Sequence, residues 1–168
     1  MAYAGFLRTL PAPASTLSGF VCLLDTTWFT QADSNALDGT TFINGGGSLR
    51  LYTDATKTTQ LPVDVVSFVT GGTPEVKVFT RLPSYASGET IWVESDASAT
   101  TQPVSTSTYG SEAVWQDYEA ATRDGSLDLT GNTSFSPSNV STGADRQGMP
   151  SLSFNGSNSR SDATVSTL

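Results

Sequence analysis

The stretch Glu75-Val76-Lys77-Val78-Phe79-Thr80-Arg81-Leu82 decides the fold class. In an extended chain Val76, Val78 and Leu82 fall on one side, and Lys77 and Arg81 on the other. That period of two belongs to a strand with one face buried and one in water. The neighbouring segments carry the same signal. Ser48-Leu49-Arg50-Leu51-Tyr52-Thr53 alternates in the same way, and Glu89 to Ser95 sets Ile91 and Val93 against Trp92. Leu61 to Val69 is apolar on both sides, with Val63 and Val65 on one and Val66 and Phe68 on the other, as in a central strand. Residues 2–10 and 18–25, joined by Pro11-Ala12-Pro13, add two more strands. Asp54 to Gln60, Gly71-Gly72 and Pro83 to Gly88 supply turns, while residues 26–47, ending in Gly45-Gly46-Gly47, read as a long loop with a flexible exit. A parallel sheet needs crossover helices, and this region offers none. The expectation is an all-β, antiparallel β-sandwich of jelly-roll-like type, with Val63, Val65, Val76, Val78 and Ile91 in its core.

Beyond the strands the pattern weakens. Residues 97–108 read as a linker or bridging loop. Ser111 to Thr122 is the one helix expected: Ser111 can cap it, Glu112 suits its first turn, and Val114, Tyr118 and Ala121 share a face. From Arg123 the chain is rich in Ser, Asn and Gly. A strand signal returns at Ser151-Leu152-Ser153-Phe154, followed by Asn155-Gly156, a hairpin-turn pair. The large apolar groups here are Leu127, Leu129, Phe135, Val140, Met149, Leu152, Phe154, Val165 and Leu168. Spread so thinly, they do not offset a backbone ordering cost of ~1–2 kcal/mol per residue. Residues 1–122 are therefore expected to form the sandwich domain, with its short helix near 111–122. Residues 123–168 are expected to form an extended C-terminal arm, ordered by neighbouring subunits, with Phe135 and Phe154 as its main anchors.

Composition narrows the chemistry. The 168 residues include 16 acidic, 8 basic and no histidine, for a net charge of -8. Without histidine there is no Ser-His-Asp triad, no Cys-His pair and no histidine metal site. So acidic a chain has no basic patch for phosphates, which argues against nucleic acid. No run approaches the ~18 apolar residues of a membrane span. Met1 to Arg8 shows no basic segment followed by a long apolar one, so it does not read as a secretory leader. The single cysteine, Cys22, sits in Gly19-Phe20-Val21-Cys22-Leu23-Leu24 and reads as a small core residue.

Three stretches resemble, in order, an uncharacterised bacterial and phage domain family. They are Leu49 to Asp54 with Leu61 to Val65, Val76 to Ser84 with Gly88 to Val93, and Ala113-Val114-Trp115-Gln116-Asp117-Tyr118. In that family the domain commonly precedes a concanavalin-like (laminin-G-like) lectin domain. Ser151 to Arg160 resembles the first hairpin of such a domain, and a complete jelly-roll lectin needs far more chain than follows it. The resemblance thus implies an arm, or the start of a truncated concanavalin-like domain, over 123–168. It implies no active site.

Asp64, Glu75, Glu89, Glu94 and Asp96 lie on or beside strands, and a glycosidase needs two carboxylates at a set separation. Solvated strand edges account for them better. Asp33-Ser34-Asn35-Ala36-Leu37-Asp38-Gly39 has oxygen ligands and a turn glycine but lacks the spacing and closing Glu of an EF-hand, so an ordinary Asx-rich turn is expected. Trp28, Tyr52, Phe79 and Trp92 are candidates for a sugar-stacking platform. Against that, Trp92 is expected in the core under the second sheet, while Phe79, beside Lys77 and Arg81, suits an interface. No catalytic, cofactor-binding or metal residue is assigned, and no cofactor is expected.

The leading functional expectation is a structural, non-enzymatic component of a bacteriophage virion: a tail fibre, spike or head-decoration protein, with an adhesive role. Its partners would be other virion proteins, copies of itself and host surface glycans, with no nucleic acid and no membrane insertion. It would assemble in the host cytoplasm and reside in the virion. The alternative is a lectin-like, glycan-binding module of a bacterial surface protein.

Overall fold

The structure is a computed structural model that describes residues 5–29, 42, 45–69, 73–96, 98–117, 133–144, 150–154, 157–158 and 160–165. The chain divides into two units, residues 1–114 and 115–168.

The first unit runs β1 (Phe6–Thr9), β2 (Leu17–Asp25), α1 (Thr26–Phe29), β3 (Leu49–Tyr52), β4 (Gln60–Leu61), β5 (Val63–Val69), β6 (Glu75–Tyr85) and β7 (Thr90–Ser95). One sheet has the order β1-β7-β3-β4 and the other β2-β6-β5. Every pairing is antiparallel. The two sheets share one core, so the unit is the β-sandwich that the alternation predicts. Leu49, Leu51, Ile91 and Val93 enter that core from the first sheet; Leu24, Val76, Val78 and Leu82 enter from the second. Each such side chain contributes roughly 1.5–3 kcal/mol by leaving water. Lys77, Phe79 and Arg81 alternate with buried neighbours on β6, as the sequence predicts.

Several local features differ from the sequence reading. The β5–β6 register slips between Val65 and Ser67, which makes Val66 an inserted residue. A bulge reverses side-chain parity. Phe68 therefore joins Val63 in the core, and Val65 is only half-buried against it. Strand β6 also continues through Pro83 to Tyr85 instead of turning there. Its pairing with β2 skips from Phe20↔Leu82 to Ser18↔Ser84, leaving out Gly19 (φ 63) and Pro83. Proline cannot donate to a ladder, and here none is required of it.

The expected loop at 26–47 begins instead with the one-turn helix α1. Asp25 caps it, accepting from Thr27 N at 2.9 Å. Phe29 then packs edge-on against Phe6, Phe42 and Phe68, with ring centres 5.9, 6.0 and 5.2 Å away. Nor is the glycine run a flexible exit: Gly46 is buried at φ 83, and a Cβ there would lie 2.9 Å from Phe68 Cγ.

Residues 98–110 form a bridging strap. Thr101 O accepts from Arg50 Nη2 at 3.1 Å, Gln102 Nε2 donates to Gly46 O, and Tyr109 O accepts from Val63 N at 3.0 Å. The expected helix starts on time but is short. It spans α2 (Ser111–Trp115), and Gln116 and Asp117 turn away; residues 118–122 fall outside the described residues.

The second unit holds β8 (Thr133–Ser138), β9 (Val140–Ala144), β10 (Pro150–Phe154) and β11 (Arg160–Val165). β9 pairs with β10 and, outside them, β8 pairs with β11. The result is one nested ribbon. Asn139 is the one residue between β8 and β9, whose pairings end at Ser138↔Arg160 and Val140↔Phe154. Asn139 adopts φ 54, and its Nδ2 donates to Asn158 O at 3.4 Å. β10 and β11 thus each pair with another strand, and the hairpin pair Asn155-Gly156 lies outside the described residues. The anchors expected at Phe135 and Phe154 lie on β8 and β10, whereas Leu127, Leu129, Met149 and Leu168 are outside the described residues.

Candidate functional site

The five singled-out carboxylates do not form one cluster: Asp64 and Glu75 lie on one sheet, and Glu94 and Asp96 lie at the end of β7 on the other. Asp64, 2% exposed, lies on the β2-β6-β5 sheet opposite Phe79. Glu94 lies on the other sheet, opposite Arg50. Glu75 is exposed and pairs with Lys77 at 2.8 Å. Glu89 is half-buried in the turn before β7. Asp96 accepts from Ser98 Oγ at 2.6 Å and Ser98 N at 2.9 Å, bonds that hold its carboxyl below the usual carboxylate range. Among the described residues no group of three His, Cys, Asp or Glu could hold a metal. Asp33 to Gly39 lies outside the described residues. Cys22 is buried in the core, where loss of water pushes its thiol up to about 12. It carries no thiolate near neutral pH.

The four candidate aromatics separate. Trp28 packs against the core, and its carbonyl accepts from Arg8 Nε at 3.1 Å. Phe79 lies half-buried on the outer face of the three-stranded sheet, with Leu23 opposite on β2. Tyr52 and Trp92 do come together, on the outer face of the four-stranded sheet. Trp92 is half-buried there, not in the core as expected. Because Ile91 and Val93 point inward, the residue between them must point out.

That outer face is built by two alternating strands. Leu49 and Leu51 go into the core, which turns Arg50 and Tyr52 outward; Ile91 and Val93 do the same for Trp92 and Glu94. The register sets Tyr52 directly opposite Trp92, Arg50 opposite Glu94, and Gln60 on the other side of Tyr52. Opposed side chains on an antiparallel pair have Cβ atoms about 4.5–5.5 Å apart. Trp92 is fixed from below: a Cβ at Gly5 (φ 78) would lie 2.7 Å from two carbons of its indole. Only glycine leaves room for the ring.

Glu94 is the hub of the face. Its Oε2 accepts from Trp92 Nε1 at 3.1 Å and meets Lys57 Nζ at 2.7 Å. Lys57 reaches it from the β3–β4 turn, where its backbone takes the left-handed conformation (φ 60). Asp54 organises that turn by accepting from Thr56 N at 2.7 Å and from the Thr56 hydroxyl. The Thr56 bonds hold the Asp54 carboxyl below its ordinary range, and the Glu94 hydrogen bond holds the Lys57 amine above its own. Loss of water raises the Tyr52 hydroxyl, and the Glu94 charge raises it further.

No family model, curated protein or solved structure matches the chain. What the face can do therefore follows from its own groups. Two aromatic residues stand at opposed positions on a sheet surface, next to a carboxylate and an amine already held in position. Such a surface has the groups to hold a ligand by ring contact and by hydrogen bonds. Sequence reasoning marked Tyr52 and Trp92 but missed Lys57, which arrives through a turn conformation that non-glycine residues seldom adopt.

Proposed function

We propose that the chain is a structural, non-enzymatic subunit of a bacteriophage virion, in a tail fibre, spike or head decoration, with an adhesive role. One observation carries the reading. The stretches that resemble the phage and bacterial family fall in order on β3 with β4–β5, on β6 with β7, and on α2. A Ser/Thr-rich sandwich with 14% charged residues also suits a protein that meets neighbours over much of its surface. The test is mass spectrometry and electron microscopy of purified phage particles. Symmetric, stoichiometric copies of the chain in the particle support the proposal. A chain that stays in the cell extract and is absent from banded particles overturns it.

The Tyr52–Trp92 pair favours a second reading, a glycan-binding module of a bacterial surface protein. In that case surface labelling would find the chain on intact cells instead of in particles.

A further inference from the structure

The Tyr52–Trp92 face carries hydrogen-bonding capacity that the fold leaves unused. Both contacts to Glu94 end on Oε2, so Oε1 has no partner among the described residues. Yet the one buried, unpaired side-chain atom among those residues is Gln102 Oε1. Glu94 Oε1 must therefore touch solvent, although the residue as a whole is only 8% exposed. Lys57 Nζ uses one donor on Glu94, and its side chain is 47% exposed, leaving donors to spare. The Tyr52 hydroxyl and the Gln60 amide also have no hydrogen-bond partner among the described residues, and both side chains are half-buried beside the rings.

Charge narrows what fits. Tyr52 feels Glu94 and Asp96 on one side of the balance, and Lys57 and Arg50 on the other. The signs cancel, so an anion would meet Glu94 and a cation would meet Lys57. Arg50 itself is spent on backbone carbonyls of Gly47, Leu49 and Thr101. What remains is an apolar ring surface edged by alternating donors and acceptors, with no net charge. That is the complement of a sugar ring, which offers an apolar C–H face and a rim of hydroxyls.

We infer that this face binds a neutral carbohydrate, with one pyranose stacked on Tyr52 and Trp92 and its hydroxyls bonded to Glu94 Oε1, Lys57 Nζ and Gln60. The inference rests on the adhesive part of the virion reading. The site is preorganised: Gly5 seats the indole, and Trp92 and Lys57 hold the carboxylate. Little conformational freedom is lost when sugar arrives.

The experiment titrates the isotope-labelled full chain with maltohexaose, cellohexaose and chitohexaose, and with a polygalacturonate hexamer as the anionic control. Magnetic resonance follows the indole N–H of Trp92, assigned by comparison with Trp92→Phe. One of the neutral oligosaccharides should shift that signal at about 10 mM or below, within reach of millimolar affinity. Tyr52→Ala should weaken binding about tenfold or more, and Tyr52→Phe by a few-fold, since the second change keeps the ring. Circular dichroism confirms that both variants fold. The inference is overturned if no neutral sugar shifts Trp92, if only the anionic oligomer binds, or if Tyr52→Ala binds as the parent does. The two readings fail separately. A chain found in particles that binds none of these sugars loses this site alone, while one that binds but is missing from particles loses the virion role.

Discussion

The sandwich and the C-terminal ribbon are made from the same part, an antiparallel strand pair, and differ in how their strands are layered. In the sandwich each pair turns an apolar side toward a second sheet, and Leu24, Leu49, Leu51, Val78, Leu82, Ile91 and Val93 are fully buried between them. In the ribbon, β9 with β10 and β8 with β11 form two-stranded ladders. Their sequences, such as Val140-Ser141-Thr142-Gly143-Ala144, hold few large apolar groups. An intramolecular hydrogen bond contributes only about 0.5–1.5 kcal/mol net, and an isolated hairpin is marginal in water. Pairing sets register, and layering supplies stability.

The largest test of that contrast is a matched pair of truncations. Leu51→Ala should cost the sandwich roughly 2–5 kcal/mol in urea unfolding, because it opens a cavity in a closed core. Val140→Ala, on β9 and half-buried, should cost under about 1 kcal/mol by the same measurement. Equal losses would sink the comparison.

Next comes the glycine turn. Gly46→Ala meets both a positive φ and the Phe68 ring, whereas Gly45→Ala at φ 61 meets open space. The first should cost about 1–3 kcal/mol, and the second about 1 kcal/mol, in thermal unfolding. A third change sharpens the ribbon side. Asn139→Val places a branched residue at φ 54 and should cost roughly 1–2 kcal/mol of local stability, read as faster hydrogen exchange in β8 and β11. Asn139→Gly should leave exchange nearly unchanged. Exchange in the sandwich strands should not respond to either.

The smallest effect concerns pH. Asp54 and Asp96 both titrate below their ordinary value of 3.8 when folded. A depressed carboxyl stabilises the folded state above its unfolded pKa, and that contribution fades as pH falls through the folded value. Both groups are solvent-facing, so the slope should be shallow. The urea midpoint should fall slightly more between pH 5 and pH 3 in the parent than in Asp54→Asn/Asp96→Asn. An identical fall in both would remove the two turns from the acid response.

Much of the sandwich was legible because alternation is a local property. β3, β6 and β7 each announce their buried face within six residues or so, and Trp92 could have been placed outside on the parity of Ile91 and Val93 alone. What escaped depends on something other than period. The extra residue at Val66 is invisible to counting, since only the partner strand reveals the slip. Gly46 looked loose by composition, yet it is tight because a ring from β5 lies on it. Helix α1 is too short for a period and is held by Asp25 and Thr26, with Thr26 Oγ1 accepting from Val76 N at 2.9 Å. Half of the candidate site, Tyr52 and Trp92, came from residue type. The other half, Lys57 on Glu94, needed a turn geometry and a register that no single segment encodes.

The unequal crossing at Asn139 has a practical consequence. One residue joins β8 to β9 and five join β10 to β11, yet the two ladders keep their own registers. Lengthening the five-residue join shifts neither ladder, and Ser157 and Asn158 within it are exposed. Loop closure costs only about 0.6 kcal/mol for each doubling of length. An insertion between Ser157 and Asn158 should therefore leave both registers in place, read as unchanged hydrogen exchange in β8 to β11.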